Sequence, residues 1–311
     1  NIFFRLKSPH RKYICSKNII MKLDIARKKF IEELKSEGKS NATVVAYNKD
    51  IEQLLSFLSS KKIDEVEKIS IEPIASFMKD LSEKNYTPKS ISRKTNAART
   101  FIKYLAREGY IKEDISSQLK HPKFETGAPR ILSKMEYRAL RDSAKNDVRS
   151  YAMIELLLQT GITISELAGI EMKDFEIKGE TASLFIPKRN NKESRTIPVN
   201  KSAVDAVKRY IENERKNIPD ASSNLFITKT GKALLIRNIR STIDRFFRIA
   251  GIEKAKVNDL RHTFVAFHLE NGVNISYLAK IAGHKRETTT EKYLEYIKKP
   301  EKMDKTELAA L

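Results

Sequence analysis

The stretch NDLRHTFVAFHLENG, residues 258–272, and the run AGHKRETTTEKY, residues 282–293, decide how this 311-residue chain is read. In the first, Leu260, Phe264, Val265 and Phe267 recur at helical spacing and Gly272 closes the run, which predicts a helix over 258–271. That helix carries Arg261 and His262 side by side, with Asn258 one turn earlier. In the second, a glycine stop at Gly283 is followed by His284, and Tyr293 comes nine residues later. Arginine, histidine and tyrosine gathered in this way point to phosphoryl transfer. A reacting phosphodiester develops negative charge that fixed cations can match. It also needs a nucleophile and a proton donor for the leaving oxygen. A tyrosine hydroxyl can be that nucleophile, because the phosphotyrosyl ester conserves the energy of the broken bond. Taken singly the residues say little: Tyr293 alone would be an ordinary core or helix aromatic, and Arg261 alone a surface cation.

Composition supports a polyanionic partner. Lys and Arg total 60 against 40 Asp and Glu, a formal charge of +20, and the isoelectric point is near 9.7. The excess is spread along the chain: +5 over residues 1–20, +5 over 21–120, +1 over 121–132 and +9 over 133–311. Two basic globular parts suit a protein that holds nucleic acid between them; surplus surface lysine is the plainer explanation of the same numbers. A hydrophobic content of 40% rules out a mainly disordered chain. The single cysteine, Cys15, excludes an intramolecular disulfide framework and any cysteine-based zinc site, and fits a reducing compartment. No run reaches the roughly 18 apolar residues of a membrane span, so no membrane partner and a cytoplasmic, nucleoid-associated location are expected.

The chain reads as mainly α with one small antiparallel sheet. Residues 1–20 form a basic extension, expected to be a disordered tail, and Met21, which follows it, is a candidate natural start. Residues 21–118 pattern as four amphipathic helices: one stopped by Gly38, one capped by Ser40, one opened by Ser70 and one by Pro88. Residues 119–132, with Pro122, Gly127 and Pro129, read as a linker. A second domain follows over 133–301, opened by a cap at Ser133. In it the MIELLL run of 153–158 is a buried helix, and Ala182–Pro187 and Arg195–Val199 are strands joined by the basic turn KRNNKES. Further helices are expected over 201–216, 236–250, 274–282 and 287–298. Residues 302–311 pattern as a short terminal helix.

Several of these boxes occur together, in an order and spacing that resemble the tyrosine recombinases. The runs are TGITISELAGI (160–170), PKRNNKESRTIPV (187–199), NDLRHTFVAFHLENG and AGHKRETTTEKY; SNATVVAYNKDIEQLLSFL, residues 40–58, resembles the family's helical core-binding domain. The likeness extends from about residue 24 onward and is greatest to the Xer-type chromosome-resolution subgroup, including archaeal members. It implies a catalytic domain over 133–301 behind a core-binding domain over 21–118, the two closing as a clamp on duplex DNA. It implies site-specific strand exchange through a 3′-phosphotyrosyl link, resolving chromosome dimers, with no metal or other cofactor. The implied partners are a double-stranded recombination site and further copies of the chain, as dimers and as tetramers on two sites. On this likeness Leu308–Leu311 would dock the terminal helix on a neighbouring protomer.

Carried over residue by residue, the likeness makes Tyr293 the nucleophile, with Tyr296 a lesser candidate on the same helix. Arg261 is the second catalytic arginine, and His284 is the histidine that hydrogen-bonds the scissile phosphate. Lys188 is the general acid for the leaving 5′ oxygen, with Lys192 its runner-up because the turn is slightly long. Glu166 supports the site from behind, and His262 packs structurally.

Two positions depart from the pattern. Asn258 stands where the family has His or Lys, though its amide can still donate a hydrogen bond. Thr163 stands where the first catalytic arginine belongs, inside a run whose Gly161, Ser165, Glu166 and Leu167 are otherwise kept. A hydroxyl brings no charge and no two-pronged pairing to phosphate oxygens. Three accounts follow: an engineered variant, a natural recombinase in which another cation reaches in, or a catalytically impaired homologue that only binds DNA. A viral or plasmid integrase and a type IB topoisomerase are the neighbouring readings.

Overall fold

The structure is a computed structural model that describes residues 21–122, 127–189 and 193–311. The basic extension and Lys192 therefore lie outside the described residues. The chain divides into two compact units between Thr126 and Gly127.

The first unit holds helices α1 (Leu23–Ser36), α2 (Asn41–Ser60), α3 (Ile71–Glu83) and α4 (Pro88–Arg107). Gly38, with φ of 70°, takes the chain out of α1. The Ser40 hydroxyl accepts from the Thr43 amide at 3.2 Å and starts α2. Thr87 caps α4, whose first residue is Pro88. The buried faces meet through Phe30, Leu34, Ile51, Leu54, Leu58, Ile74, Leu81 and Phe101. Helix α1 turns Leu23, Ala26, Phe30 and Leu34 inward, which leaves Ile25 on the outer face, 49% exposed. Beneath the polar surface Asp50 is buried and accepts from Lys94 at 2.8 Å, so neither charge is left unpaired.

The second unit is built around α6 (Val148–Thr160), in which every residue from Ala152 to Thr160 is buried. Helix α5 (Lys134–Ala144) opens with the capping box of Ser133 and Glu136. The short helix α7 (Ile164–Leu167) leads into an antiparallel sheet of β1 (Phe175–Lys178), β2 (Thr181–Ile186) and β3 (Arg195–Val199), in that spatial order. Register places Phe175 opposite Leu184 and Ile186 opposite Arg195. Strand β1 has no counterpart in the pattern reading, since only Phe175 of its four residues is buried and no alternation shows. Helices α8 (Lys201–Asn213), α9 (Ile236–Ile249), α10 (Val257–Glu270) and α11 (Ile275–Ala282) complete the layer that carries the site.

Two expectations are corrected. The helix expected over 287–298 is only α12 (Thr288–Glu291) followed by a 3₁₀ turn, Lys292–Glu295. Segment 302–311 is not a helix, and it packs on its own unit. Lys305 forms a parallel bridge with Val273, donating to Gly272 O at 3.1 Å and accepting from the Asn274 amide at 2.8 Å. Leu311 is buried, and its amide and carbonyl bond the Gln159 side chain, both at 3.1 Å. A ten-residue stretch gains little from helix formation alone, whereas here its backbone groups find partners on a preformed surface. Among the described residues no helix is long and apolar enough to cross a membrane.

Candidate functional site

Each candidate side chain is placed by a turn that its local sequence dictates. Gly161 ends α6 with φ of 60°, and a Cβ there would lie 2.2 Å from the Phe264 ring, so α6 and α10 approach closely only because this residue is glycine. Its carbonyl accepts from Arg261 Nη1 at 2.6 Å, fixing an arginine that is only 7% exposed. Burial pulls the Arg261 pKa down, Glu166 pushes it up and Arg195 pulls it down again.

Two residues after Gly161, Thr163 is the N-cap of α7. Its amide and hydroxyl both donate to Glu166 Oε2, at 2.8 and 2.9 Å, and its hydroxyl accepts from the Glu166 amide at 3.3 Å. Glu166 Oε1 accepts from Arg195 Nη1 at 2.9 Å. Arg195 is buried, donates through Nε to Ile281 O at 2.7 Å, and leaves Nη2 without a partner among the described residues. A Cβ at Gly283 would come within 2.8 Å of this guanidinium, so the glycine that ends α11 lets Arg195 lie against the backbone there. Arg195 thus ties β3, α7 and the end of α11 together. Sequence reasoning missed it. The available signal was an arginine at a position of β3 whose alternation points inward.

On α10, Asn258 and His262 are one turn apart and share a face. Asn258 Nδ2 lies 2.8 Å from His262 Nε2, and His262 Nδ1 lies 2.5 Å from the Tyr293 hydroxyl. His262, expected to be a packing residue, therefore reaches the candidate nucleophile. Burial lowers the His262 pKa, with Asp259 raising and Arg261 lowering it further. Burial raises the Tyr293 pKa, opposed by Arg261. His284 lies nearly parallel to the Tyr293 ring, 14° between planes and 6.5 Å between centroids, and its Nδ1 bonds Thr290 Oγ1 at 2.7 Å.

The structure thus gathers Tyr293, Arg261, His284, Glu166, Thr163 and Asn258 from α6–α7, α10, α11 and the turn at 292–295. Lys188 stands apart in the turn after β2, 64% exposed, its ammonium 3.1 Å from Glu193. Tyr296 is 41% exposed and joins the group only through its backbone amide, which bonds Tyr293 O at 2.9 Å. A phenol held between two imidazoles, beside a buried guanidinium, can attack a phosphodiester and have the developing charge met.

Comparison with known proteins gives a consistent result. The pattern described as "Phage integrase family" matches residues 128–299, and that described as "Phage integrase, N-terminal SAM-like domain" matches 28–109. Tyrosine recombinase XerD of Staphylococcus saprophyticus subsp. saprophyticus is 30% identical over 272 residues, spanning 85% of this chain and 90% of its own. Tyrosine recombinase XerC of Roseiflexus sp. (strain RS-1) is 27% identical over 274 residues, spanning 85% of this chain and 87% of its own. Among solved structures, a lambda integrase tetramer bound to a Holliday junction superposes with a TM-score of 0.72 at 16% identity, covering 89% of this chain and 78% of that one. XerH site-specific recombinase bound to palindromic difH substrate, a post-cleavage complex, gives 0.70 at 16% identity, covering 87% and 80%. Both show a shared fold.

Proposed function

The chain belongs to the phage integrase family, and from that premise we propose that it is a site-specific DNA recombinase of the tyrosine type. The observation that carries this reading is Tyr293, buried like Arg261, with His262 at its hydroxyl and the His284 ring stacked parallel to its own. In the forward step Tyr293 Oη attacks the scissile phosphorus, the bond to the 5′ oxygen breaks, and that oxygen leaves with a proton from Lys188. Lys192, four residues on in the sequence, is the second candidate for that proton. The 3′-phosphotyrosyl ester keeps the bond energy, and a 5′ hydroxyl from the partner strand reverses the step. Arg261 and His284 meet the charge on the non-bridging oxygens. Glu166 and Arg195 hold the turns that carry them. No metal or nucleotide enters this balance.

The likeness to XerC and XerD supports resolution of chromosome dimers as the biological role, in the cytoplasm on nucleoid DNA, with the basic first unit as core-binding domain and protomers paired on each site and tetrameric on two. A mobile-element integrase uses the same chemistry. The second reading is binding without turnover, and one observation favours it: the Thr163 side chain is fully engaged in its cap with Glu166 and brings no charge. The test is a nicked suicide duplex built on a site selected from randomised DNA, offered to this chain and to Thr163→Arg. A covalent adduct whose peptide contains Tyr293 supports recombination. An adduct at Tyr296 or at a serine overturns the assignment. A selected, tightly bound duplex that neither form cleaves supports the binding reading. Relaxation of supercoiled DNA without resolution of a two-site plasmid would instead identify a topoisomerase.

A further inference from the structure

We propose that His262 is the group that takes the proton of Tyr293 during attack and returns it during ligation, and that Asn258 is the residue that positions His262 for this. The proposal rests on Tyr293 being the nucleophile. It assigns both residues a task that the sequence pattern did not, since Asn258 was read as a replacement for His or Lys that can still donate a hydrogen bond and His262 as packing.

The geometry forms a relay across two elements. Asn258 and His262 sit one helical turn apart on α10, and His262 Nδ1 reaches the Tyr293 oxygen from the turn at 292–295. The 2.5 Å separation is short enough for direct proton transfer without an intervening water. The chemistry requires such a group. Burial holds the Tyr293 proton more tightly than in water, so the phenol cannot ionise unaided at neutral pH. The same burial keeps His262 neutral and therefore able to accept. The charged and titratable groups around the ring are Asp259 and Arg261 from α10 itself, whose effects oppose one another, and Tyr293 with the stacked His284 from the facing segment.

The protons balance as follows. In the resting arrangement Asn258 Nδ2 faces His262 Nε2 and donates to it, so Nδ1–H donates to the Tyr293 oxygen. Turning the exposed Asn258 amide end over presents Oδ1 to Nε2; the ring then exchanges tautomer through solvent, Nδ1 giving its proton to water and Nε2 taking one from water, which leaves Nε2–H held by Oδ1 and the Nδ1 lone pair free for the phenolic proton. Attack then forms the O–P bond while the proton passes from Tyr293 Oη to Nδ1, leaving an imidazolium whose Nε2–H is held by Asn258 Oδ1. Ligation returns the proton to the departing tyrosyl oxygen. A carboxamide can serve both hydrogen-bond patterns; an alanine serves neither, and a carboxylate serves only the accepting one.

The experiment measures single-turnover cleavage of the nicked suicide duplex across pH, in whichever of this chain or Thr163→Arg forms the adduct, with His262→Ala, Asn258→Ala and Asn258→Asp made in that background. His262→Ala should lower cleavage about 10²–10⁴-fold at neutral pH with duplex affinity retained, and added imidazole should restore part of the rate. The parent rate should level off above the lowered pKa of His262, whereas the His262→Ala rate should keep rising with pH as Tyr293 ionises by itself. Asn258→Asp should move the acid limb to higher pH, because a carboxylate at Nε2 stabilises the imidazolium. His262→Ala cleaving at the parental rate and with the parental pH profile overturns the proposal, as does a rate loss that imidazole does not relieve. If neither parental form makes an adduct, the functional reading fails separately, and the relay is read on the free protein. The ¹⁵N shifts of the His262 ring should then move in both Tyr293→Phe and Asn258→Ala; shifts unchanged in both overturn it.

Discussion

Replacing Thr163 by arginine should raise the cleavage rate and lower stability together. Thr163 caps α7: its hydroxyl accepts from the Glu166 amide at 3.3 Å and donates to Glu166 Oε2 at 2.9 Å. Arginine cannot reproduce that cap, and loss of an N-cap side chain costs about 1 kcal/mol. For a unit of this size that is about 2–4 °C in melting temperature. The new guanidinium also enters a site where Arg195 already depresses the Arg261 pKa. The added repulsion is relieved only when a phosphate is bound, so duplex DNA should stabilise Thr163→Arg more than it stabilises the parent. Against this, one preorganised donor directed at developing oxyanion charge is worth about 10²–10³ in rate. The assay is single-turnover adduct formation on the selected nicked duplex, with thermal melting of both proteins with and without DNA. Lysine at 163 should recover much less, for want of a two-pronged donor. Equal cleavage by parent and Thr163→Arg would mean that another cation already supplies the charge. A folded, DNA-bound Thr163→Arg that stays inert would mean that the site is impaired elsewhere, and the binding reading would stand.

Arg195→Ala should destabilise the second unit by about 3–5 kcal/mol, because it removes the buried cation paired with Glu166 Oε1 and the donor to Ile281 O that tie β3 to α7 and α11; chemical denaturation followed by a second-unit probe measures this, and a loss below about 1 kcal/mol would refute the bridging role. His268 is fully buried between Phe264 and Phe267 with no hydrogen-bond partner among the described residues, and its pKa is lowered to about 4 from 6.5. Its neutral form is the folded form, so its contribution is complete above pH 6.5 and is lost as pH falls from 6.5 toward 4. The loss is on the order of 3 kcal/mol, and His268→Phe should flatten that limb of the stability curve. Duplex affinity should fall with salt with a log–log slope of several units, about −0.9 per phosphate contact. Lys188→Ala should leave the slope nearly unchanged while reducing cleavage; a flat salt response would contradict an electrostatically held complex.

The helical first unit was legible because Ser40, Thr87–Pro88 and Gly38 are local stop and start signals, and because four apolar stripes repeat at helical spacing. The hairpin was legible for a similar reason, as two alternating runs around a basic turn. The identities of Tyr293, Arg261 and His284 also lay in the sequence, since their spacing along the chain is itself the signal. Strand β1 was not legible, because three of its four residues are exposed and its existence depends on pairing with β2. Nor was the extended course of 302–311: its composition suits a helix, and only the free backbone groups at Gly272 and Asn274 draw Lys305 into a bridge. The same limit applied inside the site. That His262 reaches Tyr293 and that Arg195 lies beneath Gly283 are relations between residues separated by 31 and 88 positions. Periodicity and capping act within a few residues and so choose the elements. Hydrogen bonds and burial act across space, and they decided which of the candidate side chains meet.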